Sequence, residues 1–123
     1  GEMWGADSLA VVIRPQRYTM EFIDKNDYFT VSFYGDRKDI HKICGSKTGR
    51  EINKTKETGL TPVANEKYVY FKEARMVLVV KKQFVQQMSE ESFLDKNVID
   101  KWYPEKDYHN MIIGKIEKVL IAE

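Results

Sequence analysis

The chain has 123 residues, with twenty Lys and Arg against nineteen Asp and Glu and a formal charge of +1; that length suits one domain with a single core, and that balance excludes a global field drawing it toward nucleic acid or anionic lipid. Its one cysteine excludes an internal disulfide and any multi-cysteine zinc site, and fits a reducing compartment. No uninterrupted apolar run reaches the ~20 residues needed to span a bilayer and no signal peptide opens at Gly1-Glu2-Met3-Trp4, so a single domain over 1–123 is expected in the cytoplasm, away from membrane.

Leu9-Ala10-Val11-Val12-Ile13 is a short β-branched run stopped by Arg14-Pro15, the pattern of a strand buried on both faces that delivers Arg14 to a loop. From about Gln16 to Lys25 the spacing of Tyr18, Phe22 and Ile23 predicts a short amphipathic helix, with Pro15 near its first turn and Thr19 available to bond free N–H groups. Asn26-Asp27 turns the chain into a second strand at Tyr28-Phe29-Thr30-Val31-Ser32-Phe33, ending near Gly35. Asp36 is an N-cap candidate for a helix carrying Ile40, Ile43 and Cys44 and stopped by Gly45. Gly49-Arg50-Glu51-Ile52-Asn53-Lys54 opens a further short helix that ends at Gly59.

Tyr68-Val69-Tyr70-Phe71 is a short strand candidate, and Arg75-Met76-Val77-Leu78-Val79-Val80 a strong one continuing in alternating form to Met88. Ser89 to Tyr108 breaks that pattern as a helical excursion, and a long strand returns from Asn110 to Ile121 with Gly114 as a bend or bulge. Two long strands joined by an excursion, with shorter ones before them, predict an α+β fold with a mostly antiparallel sheet rather than βαβ repeats.

Two segments carry the chemistry. Cys44-Gly45-Ser46-Lys47-Thr48-Gly49-Arg50 and Arg14-Pro15-Gln16-Arg17-Tyr18-Thr19 each place small or hydroxyl residues and cations at a predicted helix start. Unpaired backbone N–H groups, the helix dipole and a full positive charge together make an anion site, so two such loops point to a phosphorylated ligand. Each loop taken singly also fits an ordinary connection with solvated cations. His41 and Cys44 lie three apart without an orienting partner, which makes a poor base and thiol nucleophile. With His109 the only other histidine, no metal site is expected. Glu90-Glu91 point different ways on a helix and make a poor acid/base couple. Trp102, Tyr103 and Tyr108 suit either a lid over a planar ligand or anchors for the excursion.

The order of these segments resembles the flavin reductase-like family and, within it, the flavoredoxins. The resemblance rests on Ile13-Arg14-Pro15-Gln16-Arg17-Tyr18-Thr19, on Cys44 to Arg50 with Lys54, on Glu57-Thr58-Gly59-Leu60-Thr61, and on Asp107-Tyr108-His109 leading to Ile113-Gly114-Lys115-Ile116. Phe93-Leu94-Asp95 and Lys101-Trp102-Tyr103-Pro104 also look like that subgroup's insertion. The resemblance implies an FMN-binding split β-barrel with short peripheral helices and a helical insertion, a homodimer, and non-covalent FMN that passes electrons from a reduced nicotinamide or a redox protein partner. It implies a flavin beside Arg14, Arg17, Tyr18 and Thr19, with Cys44, Gly45, Ser46, Thr48, Gly49 and Arg50 as a second wall, Lys54 as a further cofactor-binding residue and His109 near the flavin at the start of the last strand. No residue of the chain is assigned acid/base catalysis, and whether the protein is an NAD(P)H-dependent flavin reductase or an electron-transfer flavoprotein stays open.

Family members begin with a strand pair carrying an Asn-Thr-Met-Thr-like run and a Ser-Trp, whereas this chain starts at Gly1-Glu2-Met3-Trp4-Gly5. That departure implies a family member shortened at its N-terminus. It also keeps a second reading open: a dimeric binding or structural module that has lost the cofactor. Gln16 stands where a Ser or Thr is common, and Lys47 adds a charge. A nucleic-acid-binding barrel rests only on the basic loops, against the near-neutral charge.

Overall fold

The computed structural model describes residues 1–35 and 60–122. Among the described residues seven strands and two α-helices run in the order β1 (Glu2–Met3), β2 (Ala6–Ile13), α1 (Tyr18–Lys25), β3 (Tyr28–Phe33), β4 (Pro62–Ala64), β5 (Val69–Phe71), β6 (Met76–Gln87), α2 (Asn97–Trp102) and β7 (Asn110–Ile121), with a 3-10 turn at Glu90–Ser92 before α2. Five strands form one sheet in the order β1-β2-β7-β6-β3, and β4 and β5 form a separate pair. Every pairing is antiparallel. Among the described residues the large sheet stays open between its edges β1 and β3, so the α+β, mostly antiparallel architecture expected from the sequence is the one found. The helices predicted from Asp36 and from Gly49 lie outside the described residues.

The long strands follow from β-branched runs. Val77, Val79 and Val80 of β6 and Ile112 and Ile113 of β7 are all buried, and these are two of the three strands flanked on both sides in the sheet. Removing such side chains from water at roughly 25 cal/mol per Å² is the main stabilising term. Their ladder has two register shifts, between Val79 and Val80 and between Lys82 and Phe84. At the second shift Lys82 pairs with Gly114 and Phe84 with Ile113, which leaves Gln83 as the extra residue. The bulge expected near Gly114 therefore sits across from it, in β6. Gly114 is needed for close approach: a Cβ there would collide with Val80 Cγ1 and lie 2.7 Å from the Lys81 carbonyl oxygen.

β2 is longer than its apolar run and begins in a hairpin with β1. Met3 pairs with Ala6 across a two-residue turn in which Trp4 and Gly5 both have positive φ, 54° and 75°. This is the mirror-image turn whose twist suits two antiparallel strands. β4 escapes a reading by pattern because it has three residues and opens with Pro62, tolerated where no ladder donor is required. Asn65 then turns the chain, its Oδ1 accepting the backbone N–H groups of Lys67 at 2.8 Å and Tyr68 at 3.0 Å.

α1 starts at Tyr18, with Arg17 as its N-cap and no side-chain capping bond, so the capping role expected of Thr19 is not made. Its inner face is Met20 and Ile23, which pack with Ile112, Val11, Ile13 and Phe29 and so join β2, β7 and β3. Phe22, expected on that face, is half exposed. Lys82 Nζ donates to the Ile23 carbonyl at 2.8 Å, placing a cation at the helix C-terminus where unpaired carbonyls and the dipole favour it. Two further clusters lie among the described residues: Ala74, Val77 and Val79 with Tyr28, Tyr34, Tyr68, Tyr70 and Leu120, and Ile99, Tyr103 and Tyr108 with Met88, Phe93 and Val98.

Candidate functional site

The end of β2 and the end of the excursion meet. β2 pairs with β7 up to Ile13 opposite Asn110, so Arg14 leaves the sheet beside the residues that lead into β7. There its guanidinium donates from one terminal nitrogen to Asp107 Oδ2 at 2.7 Å and from the other to the Trp102 carbonyl at 2.7 Å. Gln16 Nε2 donates to the same Asp107 oxygen at 2.6 Å. Hydrogen bonds from Gln16 and Arg14 hold the Asp107 carboxyl below the usual carboxylate range, more than its partial burial raises it.

The Arg14 guanidinium also lies over the Tyr103 ring, 4.9 Å from its centroid, a cation–π contact. Tyr103 and Tyr108 are almost fully buried, with ring centroids 5.0 Å apart. Phe93 closes the group at 5.6 Å from Tyr103 and 5.7 Å from Tyr108. Of the two roles open to these aromatics, Tyr103 and Tyr108 take that of anchors, while the Trp102 ring is largely exposed beneath the Lys101 ammonium. Asp95 starts α2 by accepting the Asn97 N–H at 3.0 Å.

His109 lies within this corner. Its Nδ1 is 2.5 Å from the Tyr103 hydroxyl, and its carbonyl accepts the Met88 N–H at 2.9 Å. Burial, with a smaller push from Arg14, lowers its pKa below the ordinary histidine value; Asp107 opposes the shift and Arg17 adds to it. That shift favours the neutral ring at pH 7, and Nε2 has no hydrogen-bond partner among the described residues.

Of the residues expected to contact a cofactor, Arg14, Arg17 and His109 thus share one electrostatic neighbourhood. Tyr18 and Thr19 sit one and two positions further along α1. The Tyr18 ring meets Phe22 edge-on at 4.9 Å. Thr19 lines an open recess of about 230 Å³ whose other walls include Val11, Ile13, Phe22, Phe29 and Val31. Cys44, Gly45, Ser46, Thr48, Gly49, Arg50 and Lys54 lie outside the described residues. Asp107, Gln16 and Tyr103 also belong to this corner; from sequence Gln16 is named in the first loop, Tyr103 as lid or anchor and Asp107 in the return to the last strand, but none of them as a cofactor contact and none paired with Arg14. Asp107 and Arg14 are 93 positions apart, and no local pattern pairs residues at that separation.

The donor set is selective. Arg17 makes no salt bridge among the described residues, whereas the charge of Arg14 is already matched by Asp107. Among the described residues the corner therefore offers a cation without a salt bridge, Arg17, an imidazole with an unpartnered nitrogen, and aromatic surface. Those groups can hold an anion and donate to a carbonyl-type oxygen. Among the described residues no group of three or more His, Cys, Asp or Glu stands together as a metal site would require, and no helix is long and apolar enough to cross a membrane.

Comparison with known proteins agrees with this architecture. The flavoredoxin of Desulfovibrio vulgaris (Miyazaki F) matches over 94% of this chain and 54% of its own, with a TM-score of 0.69 at 24% identity. The flavoredoxin of Methanosarcina acetivorans matches over 94% and 53%, with a TM-score of 0.71 at 18% identity. The FMN-binding protein of Thermus thermophilus, solved with p-hydroxybenzaldehyde bound, matches over 94% and 55%, with a TM-score of 0.66 at 20% identity. At these identities the likeness is one of fold, and the chain spans about half the length of the solved structures it matches. No curated protein matches it by sequence. The flavin reductase like domain matches residues 7–123, nearly the whole chain, and the chain belongs to that family.

Proposed function

We propose that the protein binds FMN non-covalently at the corner formed by Arg14, Arg17, Tyr18, Thr19 and His109, as a cytoplasmic homodimer working in flavin-linked electron transfer. The observation that carries this reading is the juxtaposition of Arg14, Arg17 and His109 in a fold shared with flavoredoxins and an FMN-binding protein. Cys44, Gly45, Ser46, Thr48, Gly49, Arg50 and Lys54 complete the proposed site on sequence grounds.

When bound, the flavin supplies the redox chemistry. The chain's part is to bind and orient. Arg17, which makes no salt bridge among the described residues, supplies a charge for a phosphate, and Tyr103 and Asp107 hold His109 and Arg14 in place. The buried Tyr103 and Tyr108, with the partly buried Phe93 packed against them, cover that side. A reduced nicotinamide or a redox protein would be the electron donor. A second reading, a binding module without cofactor, draws support from Arg14, whose two terminal nitrogens are both engaged internally.

Titrating FMN into the purified protein separates the two readings. Quenching of flavin fluorescence with a saturable isotherm is expected. Arg17→Ala is expected to weaken binding by ~1–3 kcal/mol, the range for a hydrogen bond to a charged group. Fluorescence that does not respond to the protein removes the flavin reading.

A further inference from the structure

The Tyr103 hydroxyl has one polar partner among the described residues, Nδ1 of His109. Tyr103 is itself held firmly. It is 6% exposed, its N–H donates to the Ile99 carbonyl at 2.8 Å, and its ring stands at 85° to the imidazole with centroids 5.5 Å apart.

Two proton arrangements fit that contact. If Nδ1 carried the histidine proton and donated it, the phenolic hydrogen would be left without an acceptor among the described residues, and a buried donor left unmade is costly. If instead the phenol donates, the hydroxyl and Nδ1 are both satisfied and the imidazole proton moves to Nε2. The Arg14 guanidinium over the ring favours the second arrangement, since it draws electron density from the phenol, strengthening the O–H as donor and weakening the oxygen as acceptor.

We propose that Tyr103 is a positioning residue that locks His109 in the tautomer protonated at Nε2, so that this open nitrogen presents an N–H to a carbonyl or anionic oxygen of the bound group. The ligand half of this inference rests on the flavin reading; the tautomer half does not. The depressed His109 pKa agrees with it, because only the neutral ring has a lone pair at Nδ1 for the phenol. Arg14, Arg17 and Asp107 are the charged groups acting on His109, and Tyr103→Phe keeps the aromatic ring under Arg14 while removing only the hydroxyl.

Nitrogen-15 NMR of the histidine side chains in the whole chain, without ligand, tests the lock. His109 is expected as the Nε2–H form with a hydrogen-bonded Nδ1. In Tyr103→Phe the Nδ1 signal should move toward that of a free acceptor, some Nδ1–H form should appear, and the His109 pKa should rise. The rise follows because an O–H to Nδ1 bond stabilises only the neutral ring. Replacing Tyr103 with 3-fluorotyrosine, which keeps the packing and makes the phenol more acidic, should lower the His109 pKa. A wild-type Nδ1–H form, or a pKa that falls or stays put in Tyr103→Phe, overturns the lock. Titrating FMN into both proteins tests the ligand half, with several-fold weaker binding expected in Tyr103→Phe and equal binding overturning it. FMN that binds neither protein removes the flavin reading and leaves the NMR to decide the role of Tyr103.

Discussion

Gly114 shows how one residue governs the pairing of two long strands. It is buried together with Ile112 and Ile113 before it, while Lys115 after it is exposed, and it faces Leu9 of β2 on one side and Lys82 of β6 on the other. The backbone of Lys81 and the side chain of Val80, which is fully buried, occupy the space a methyl group would take. Gly114→Ala should therefore destabilise the fold by about 1–3 kcal/mol, as overpacking does. Denaturant unfolding followed by circular dichroism measures this, and a midpoint equal to wild type would show that β6 yields without cost. The sequence marks Gly114 as special because glycine is rare inside strands. It does not say whether the reason is a bend, a bulge or close approach, since that depends on which residue of another strand lies opposite.

At the scale of elements, the excursion between β6 and β7 is tied down at two points. Its apolar side chains pack around Ile99, Tyr103 and Tyr108, and Asp107 bridges to Arg14 and Gln16 beyond β2. Folded Asp107 titrates below its ordinary value, so its contribution to stability is present above roughly pH 4, the unfolded value, and is lost as pH falls through the folded value. His109, also lowered, acts in the same direction. Its contribution is present above roughly pH 6.5 and declines below that, because the unfolded chain takes up the proton first. Stability should thus fall from pH 7 toward acid in two stages. Asp107→Asn should lower the melting temperature at pH 7 and flatten the more acidic stage while leaving the His109 stage visible. Thermal melts from pH 7 to pH 3 check this, and an unchanged acid limb would mean that Asp107 does not couple to folding.

In the whole molecule, stability should be graded from the centre of the sheet outward. β6 and β7 are flanked by strands on both sides and hold the fully buried Val79, Val80 and Ile112. β1 has two residues and both are exposed, and β4 and β5 form a pair of three residues each. Native-state hydrogen exchange should find the slowest amides in the middle of β6 and β7, and fast exchange in β1 and β4, because opening there exposes little apolar surface. Protection in β1 equal to that in β7 would contradict this gradient.

Composition and local pattern were enough for β3, β6, β7 and α1, because a β-branched run or a helical spacing is a property of neighbouring residues. The same holds for the cations at Arg14 and Arg17, which stand where a predicted strand hands over to a predicted helix. The β1–β2 hairpin, β4 and the inner face of α1 were not legible in that way. A two-residue strand has no period, and whether Phe22 or Met20 faces inward depends on what α1 packs against. The corner itself belongs wholly to tertiary structure. Arg14, Tyr103, Asp107 and His109 meet because β2 pairs with β7 in one register, and a register is set by contacts between segments about a hundred residues apart, beyond the reach of any local signal.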